Sequence, residues 1–239
     1  MKPKTNPQIL IIDIETVSEQ PDFSGLDEHL QEHWIHKSSF LKLTEAEVAD
    51  PAESYRNRAG IYAEFGKVVC IGLGIVDAKN RQIRIKSISD HDEHTLLQSF
   101  AATIEEIREQ HTSIMFCGHN IKEFDLPYLC RRFMVQRLPL PECLMLNGLK
   151  PWEVPHIDTL HLWRFGDHKH FISLDLLART LKLPSSKTEM CGSEVGERYW
   201  EEKDLSGIAQ YCMSDIYTTA LVYLHLTRQD SDGYEPCYV

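Results

Sequence analysis

The sequence predicts a mixed α/β fold with helices layered on a sheet, and three observations carry that expectation. Residues 9–14 form a continuous apolar run, the pattern of a strand buried on both faces, and 67–76 form a second, rich in β-branched side chains. From residue 94 to 110 the apolar positions Leu96, Leu97, Phe100, Ile104 and Ile107 recur at helical spacing, and 113–117 then reads as a short strand. Strand, helix, strand in that order puts helices on the faces of a sheet.

The remaining elements follow in order. Residues 82–88 alternate apolar and polar, and the turn Asp77-Ala78-Lys79-Asn80 before them predicts a hairpin with the second strand. A helix is expected over 124–135, a strand end at 156–159, and a helix over 173–181 that stops before Pro184. The last helix spans 204–227, with Leu205, Ile208, Cys212, Ile216, Ala220 and Tyr223 in period. Residues 17–64, rich in His, Glu, Asp and Ser, read as an elaborated connection after the first strand, and 229–239 as a fraying polar tail. With no repeat or linker, one domain is expected over 1–239, its core about 9–227.

Composition narrows the class. The 239 residues are 42% hydrophobic and 26% charged, as in globular proteins. The aliphatic run Ile9-Leu10-Ile11-Ile12 is too short for a secretion signal or a membrane span, so a soluble cytoplasmic protein is expected. Seven cysteines without a C-x-x-C pair argue against a zinc site or a disulfide framework. The 25 Lys plus Arg against 36 Asp plus Glu leave a net charge of -11, which at first sight speaks against nucleic acid.

Three acidic segments carry the chemistry. Asp13 and Glu15 stand two apart at the end of the first strand, so both carboxylates project from one face. Buried there without counter-ions they would be costly, and a divalent cation would remove the penalty; a strand end turning into solvent is the alternative. Asp125 lies where a loop becomes a helix, in Asn120-Ile121-Lys122-Glu123-Phe124-Asp125-Leu126-Pro127-Tyr128, and a helix cap is its competing role. Tyr211 and Asp215, at i and i+4 on the last helix, share a face, although Asp215 taken alone also fits a surface acid.

In this order, D-x-E, N-x-x-x-F-D-x-P-Y and Y-x-x-x-D, the segments resemble the 3′-to-5′ exonuclease domain of family B DNA polymerases, a ribonuclease-H-like DEDD exonuclease, over about 9–224. The resemblance implies a three-layer fold with a mixed central sheet and hydrolysis of the terminal phosphodiester at single-stranded 3′ ends, DNA favoured over RNA, releasing 5′-mononucleotides. It implies that Asp13, Glu15, Asp125 and Asp215 hold two Mg²⁺ or Mn²⁺ ions, with Tyr211 as fifth catalytic residue. Gln210 stands where the histidine subtype would have its residue, so the tyrosine subtype is implied. Thr16, Asn120, Phe124, Tyr128 and Lys187 are candidate substrate contacts, with packing of a helix face the competing role for Phe124 and Tyr128, and Lys122, Arg131 and Arg132 are candidate phosphate partners. Asp158 is expected to support the site or to cap a helix.

Two other readings stay open. His29-Leu30-Gln31-Glu32-His33 fits the H-x-x-E-H pattern of zinc peptidases, with both histidines on one helical face. A ribonuclease-H-like module that binds nucleic acid or protein without cutting is the other.

Overall fold

The computed structural model describes residues 7–185 and 192–239. Strands β1 (Gln8–Ser18), β2 (Gly66–Asp77), β3 (Gln82–Ser89), β4 (Ile114–Gly118), β5 (Ile157–Asp158) and β6 (Glu235–Tyr238) form one sheet in the order β5-β4-β1-β2-β3-β6. β1, β2 and β3 are an antiparallel meander, whereas β4 runs parallel to β1, β5 to β4, and β6 to β3. Helices α1 (Glu28–Ser38), α2 (Glu45–Ala49) and α3 (Pro51–Arg58) connect β1 to β2, and α4 (Glu93–Gln110) crosses from β3 to β4. α5 (Asp125–Val135) lies between β4 and β5, and α6 (Thr159–Arg164), α7 (Leu174–Thr180), α8 (Val195–Glu197) and α9 (Leu205–Leu226) lie between β5 and β6.

The two-residue alternation of β1 separates two cores. Leu10, Ile12 and Ile14 pack with Phe100 and Ile104 of α4 and Leu126, Leu129 and Phe133 of α5. On the opposite face Ile11 meets Ile216, Ala220 and Leu224 of α9, and Val17 meets Ile208 and Cys212. The result is the three-layer arrangement with a mixed central sheet that the resemblance implies. Caps fix where the helices start: Asp92 accepts from the Thr95 amide at α4, Ser173 from Leu176 at α7, and Asp204 from Gly207 at α9.

Two expectations are corrected. The connection after β1 has a core of its own, in which the ring of Trp34, wholly buried, meets Tyr55 and Phe65 edge-on at 5.5 and 5.1 Å. A few large aromatics spaced far apart in sequence build it, which no local periodicity reveals. β1 also continues to Ser18, past the point where the connection was expected to begin. The tail does not simply fray: Glu235–Tyr238 adds a strand to the open edge of β3, tied down by buried Tyr234, whose carbonyl accepts from the Tyr217 hydroxyl at 2.8 Å. Pro236 fits an edge strand, where a missing N–H is tolerated.

Candidate active site

β4 ends before β1 does. Their pairing covers Gln8 to Ile11 of β1, so the edge of β1 beyond it needs other partners. The Asp125 carboxylate supplies one: its Oδ1 accepts the Ile14 N–H at 3.2 Å. Asp125 is the first residue of α5 and is buried, while Phe124 holds the cap position without a side-chain bond. The capping alternative for Asp125 is thereby set aside, and its carboxylate lies beside the strand that carries Asp13 and Glu15.

Asp13 and Glu15 face α9, opposite Gly72 and Cys70 of β2, and the register shifts by a bulge between Glu15 and Thr16. Bulges next to active sites re-aim side chains. α9 rides close because β2 offers glycine beneath it: a Cβ on Gly72 would lie 2.7 Å from Ile216 Cγ1 and 2.9 Å from Cys212 Sγ. Close packing brings Tyr211 and Asp215 to the β1 acids. The Cys212 thiol donates to Asp13 Oδ2 at 3.6 Å, and ligand atoms of Asp13, Glu15 and Cys212 all lie within 4.8 Å of one another.

The electrostatics are those of crowded acids. Burial, then the charges of Asp215, Glu15 and Asp125, raise the Asp13 pKa well above the carboxylate range. Burial, then Asp215, raises Glu15 in the same way. Burial pushes Asp125 up to about 7, against the opposing effect of the backbone N–H groups it accepts. The Tyr211 phenol is raised by burial and by Asp215, Glu15 and Asp13, so it stays protonated. The carboxylates among these groups are oxygen donors of the kind hard divalent cations take, and such ions would relieve both the repulsion and the desolvation.

Asp158 organises the approach to Asp125. Its Oδ1 accepts from the amides of Asn120 and Leu160 at 3.0 Å, and its Oδ2 from the Lys122 amide at 3.0 Å. It therefore caps α6 and clamps the turn that leads to α5. Asn120 sits in that turn at φ 64°, and its buried Oδ1 has no partner among the described residues. An orphaned acceptor of this kind calls for a donor from a ligand or solvent. His119 is bound between Thr159 Oγ1 and the Ile172 carbonyl, both at 2.9 Å.

The other candidates separate. Phe124 is half-buried, its ring 5.4 Å from that of Tyr128. Thr16, half-buried, interacts with the Tyr128 hydroxyl. Tyr128 itself is 1% exposed and donates to the Gly60 carbonyl at 2.9 Å, so of its two expected roles the substrate contact is corrected and packing remains. Arg132 is likewise corrected. It is buried, pairs with Glu93 through Nε and Nη2, and donates to the Ala63 carbonyl at 2.8 Å, leaving no fork for phosphate. Lys122 reaches the Val154 carbonyl at 2.9 Å, and Arg131 is exposed. Lys187 lies outside the described residues.

His29, Glu32 and His33 all face solvent on α1, and the tight metal-ligand group among the described residues is Asp13, Glu15 and Cys212. Among the described residues, His29 and His33 belong to no group of three metal ligands of the kind the peptidase reading needs. Sequence reasoning missed Cys212 and, on β2, Gly72 and Gly74 as parts of the centre. Their signal was present: Cys212 follows Tyr211 on the sheet-facing stripe, and Gly72 and Gly74 lie on one face of a buried strand.

The comparison with known proteins decides the family. Residues 61–233, well over half the chain, match a family of predicted 3′-5′ exonucleases related to the exonuclease domain of PolB. The chain belongs to that family. Chains of solved structures match it too, among them the family B DNA polymerase from the hyperthermophilic archaeon Pyrobaculum calidifontis, with a TM-score of 0.54 and 14% identity. The alignment covers 92% of this chain and 24% of the polymerase, so this exonuclease-like chain corresponds in fold to one part of a much larger enzyme. None of the curated proteins compared with the chain matches it. No helix among the described residues is long and apolar enough to cross a membrane.

Proposed function

We propose that this chain is a metal-dependent 3′-to-5′ exonuclease of the tyrosine DEDD subtype, organised as one domain. The carrying observation is the convergence of Asp13 and Glu15 from β1, Asp125 from α5, and Tyr211 and Asp215 from α9, with the acids raising one another's pKa values. Such mutual repulsion is a cost to folding that a binding-only module has no use for. Asp13, Glu15, Asp125 and Asp215 are the residues that would hold Mg²⁺ or Mn²⁺. When bound, two such ions supply Lewis-acid activation of water and charge neutralisation for the leaving 3′ oxygen.

The chain's own groups do the rest. The Tyr211 hydroxyl, kept protonated, positions the attacking water by hydrogen bonding instead of acting as its base. The Asn120 Oδ1 acceptor and the half-buried faces of Phe124 and Thr16 orient the terminal nucleotide. Lys187 is a candidate phosphate contact. Asp158 holds the 120–122 turn so that Asn120 keeps its position. The products are 5′-mononucleotides from single-stranded ends, with DNA the favoured substrate.

The test incubates protein with 5′-labelled single-stranded DNA, and with RNA of the same sequence, in Mn²⁺ or in chelator. Stepwise shortening from the 3′ end that stops in chelator, faster on DNA, is the expected result. Failure to shorten either strand contradicts the reading.

A further inference from the structure

Opposite the sheet, α5 borders a large opening. Pro127, Cys130, Arg131 and Met134, spaced at i, i+3, i+4 and i+7, form one wall of a cavity of about 1250 Å³ whose facing wall comes from residues 139–154. Most of the lining is apolar, and Met145 and Trp152 are 60% and 77% exposed. A contiguous apolar surface left open to water marks a binding surface. The charges around it run against the net -11 of the chain. Lys122, Arg131 and Arg164 line the cavity with His161 and His168, and Glu123 is the sole acid among the described lining residues. Arg164 already holds Glu123 at 2.8 Å, and Lys150 stands 5.4 Å above the Trp152 ring.

Resting on the exonuclease reading above, we propose that this cavity seats the single strand behind its 3′ end, with bases in the apolar trough against Trp152 and phosphates toward Arg131 and Lys150. Charge complementarity selects this occupant, since single-stranded nucleic acid is bound by stacking faces combined with cations, and both are present here. Position agrees with it. Lys122, Glu123 and Leu126, close neighbours of Asp125 in sequence, line the cavity, so it opens within one helical turn of that residue at the start of α5.

The experiment measures fluorescence anisotropy of 5′-labelled oligo(dT) in chelator, so that binding is read without hydrolysis. Trp152→Ala and Arg131→Ala are each expected to weaken binding of a long oligonucleotide about tenfold, the equivalent of one lost stacked base or charge contact. Both side chains are exposed, so thermal stability is expected to stay at the wild-type value. Hydrolysis in Mn²⁺ of a dinucleotide, too short to reach the cavity, is expected to keep its wild-type rate in Trp152→Ala. Unchanged binding of the long strand by both variants overturns the proposal. Unchanged DNA binding together with lost binding of an acidic, aromatic-containing peptide also overturns it and makes the cavity a protein seat. If wild-type protein cleaves nothing, the exonuclease reading fails by itself, and the anisotropy comparison still decides the occupant of the cavity.

Discussion

Asp125 ties the site to pH. Burial raises its pKa from the ordinary 3.8 to about 7 in the folded, cation-free protein, and Asp13 and Glu15 shift in the same direction. A carboxyl with a raised folded-state pKa stabilises the fold most where it is protonated in both states, below pH about 4, and that contribution is lost as pH rises through about 7. The melting temperature of chelator-treated protein is therefore expected to fall between pH 5 and pH 8, and Asp125→Asn to flatten the fall. Added Mn²⁺ is expected to raise the melting temperature more at pH 8 than at pH 6, because fewer protons need displacing. An unchanged melting curve across this range in the wild type would contradict the crowding of acids described above. Tyr211→Phe is expected to lower kcat about 10–100-fold with little change in KM, since in the proposed reaction its hydroxyl positions water and does not bind the strand.

Two elements carry predictions of their own. Arg132 of α5 forms a buried pair with Glu93 of α4, and Glu93 also accepts the Val68 amide at 2.8 Å, so the pair joins two helices to β2. Arg132→Ala is expected to cost roughly 3–5 kcal/mol in denaturant unfolding, as breaking a buried pair strands the remaining charge. An Arg132 that served phosphate would instead give weaker substrate binding at full stability. Gly72→Val is expected to push α9 off β2 and reduce activity far more than it reduces stability, measured as kcat beside melting temperature. The same elements show how far sequence reaches. β1, β2 and α9 announce themselves by unbroken apolar runs or period, and the acids lie at fixed offsets from them, so the side chains that the fold brings together could be named before any coordinates. The small core around Trp34 was hidden because Trp34, Tyr55 and Phe65 are too far apart for any local window. β6 was hidden because its partner, the edge of β3, exists only once the sheet is built. Arg132 was misread, and Tyr128 left between stacking and packing, for a related reason: a residue type names a chemistry, and only packing decides whether it points to substrate or to core.

At the scale of the whole molecule, the net charge of -11 gains a division of labour. Part of it is the acid cluster, which bound cations would offset, and the cationic lining beside α5 is a local exception to the remainder. The account expects weak binding to long duplexes and a shallow salt dependence for single strands, a slope no steeper than about -2 in log K against log salt for two or three phosphate contacts. The deciding experiment is the rate of 5′-mononucleotide release from single-stranded DNA in saturating Mn²⁺, by wild type and by Asp13→Asn and Asp215→Asn, each shown by circular dichroism to be folded. The account predicts release by wild type and a loss of at least about 10²-fold in both variants. Release at wild-type rate from either folded variant would contradict it.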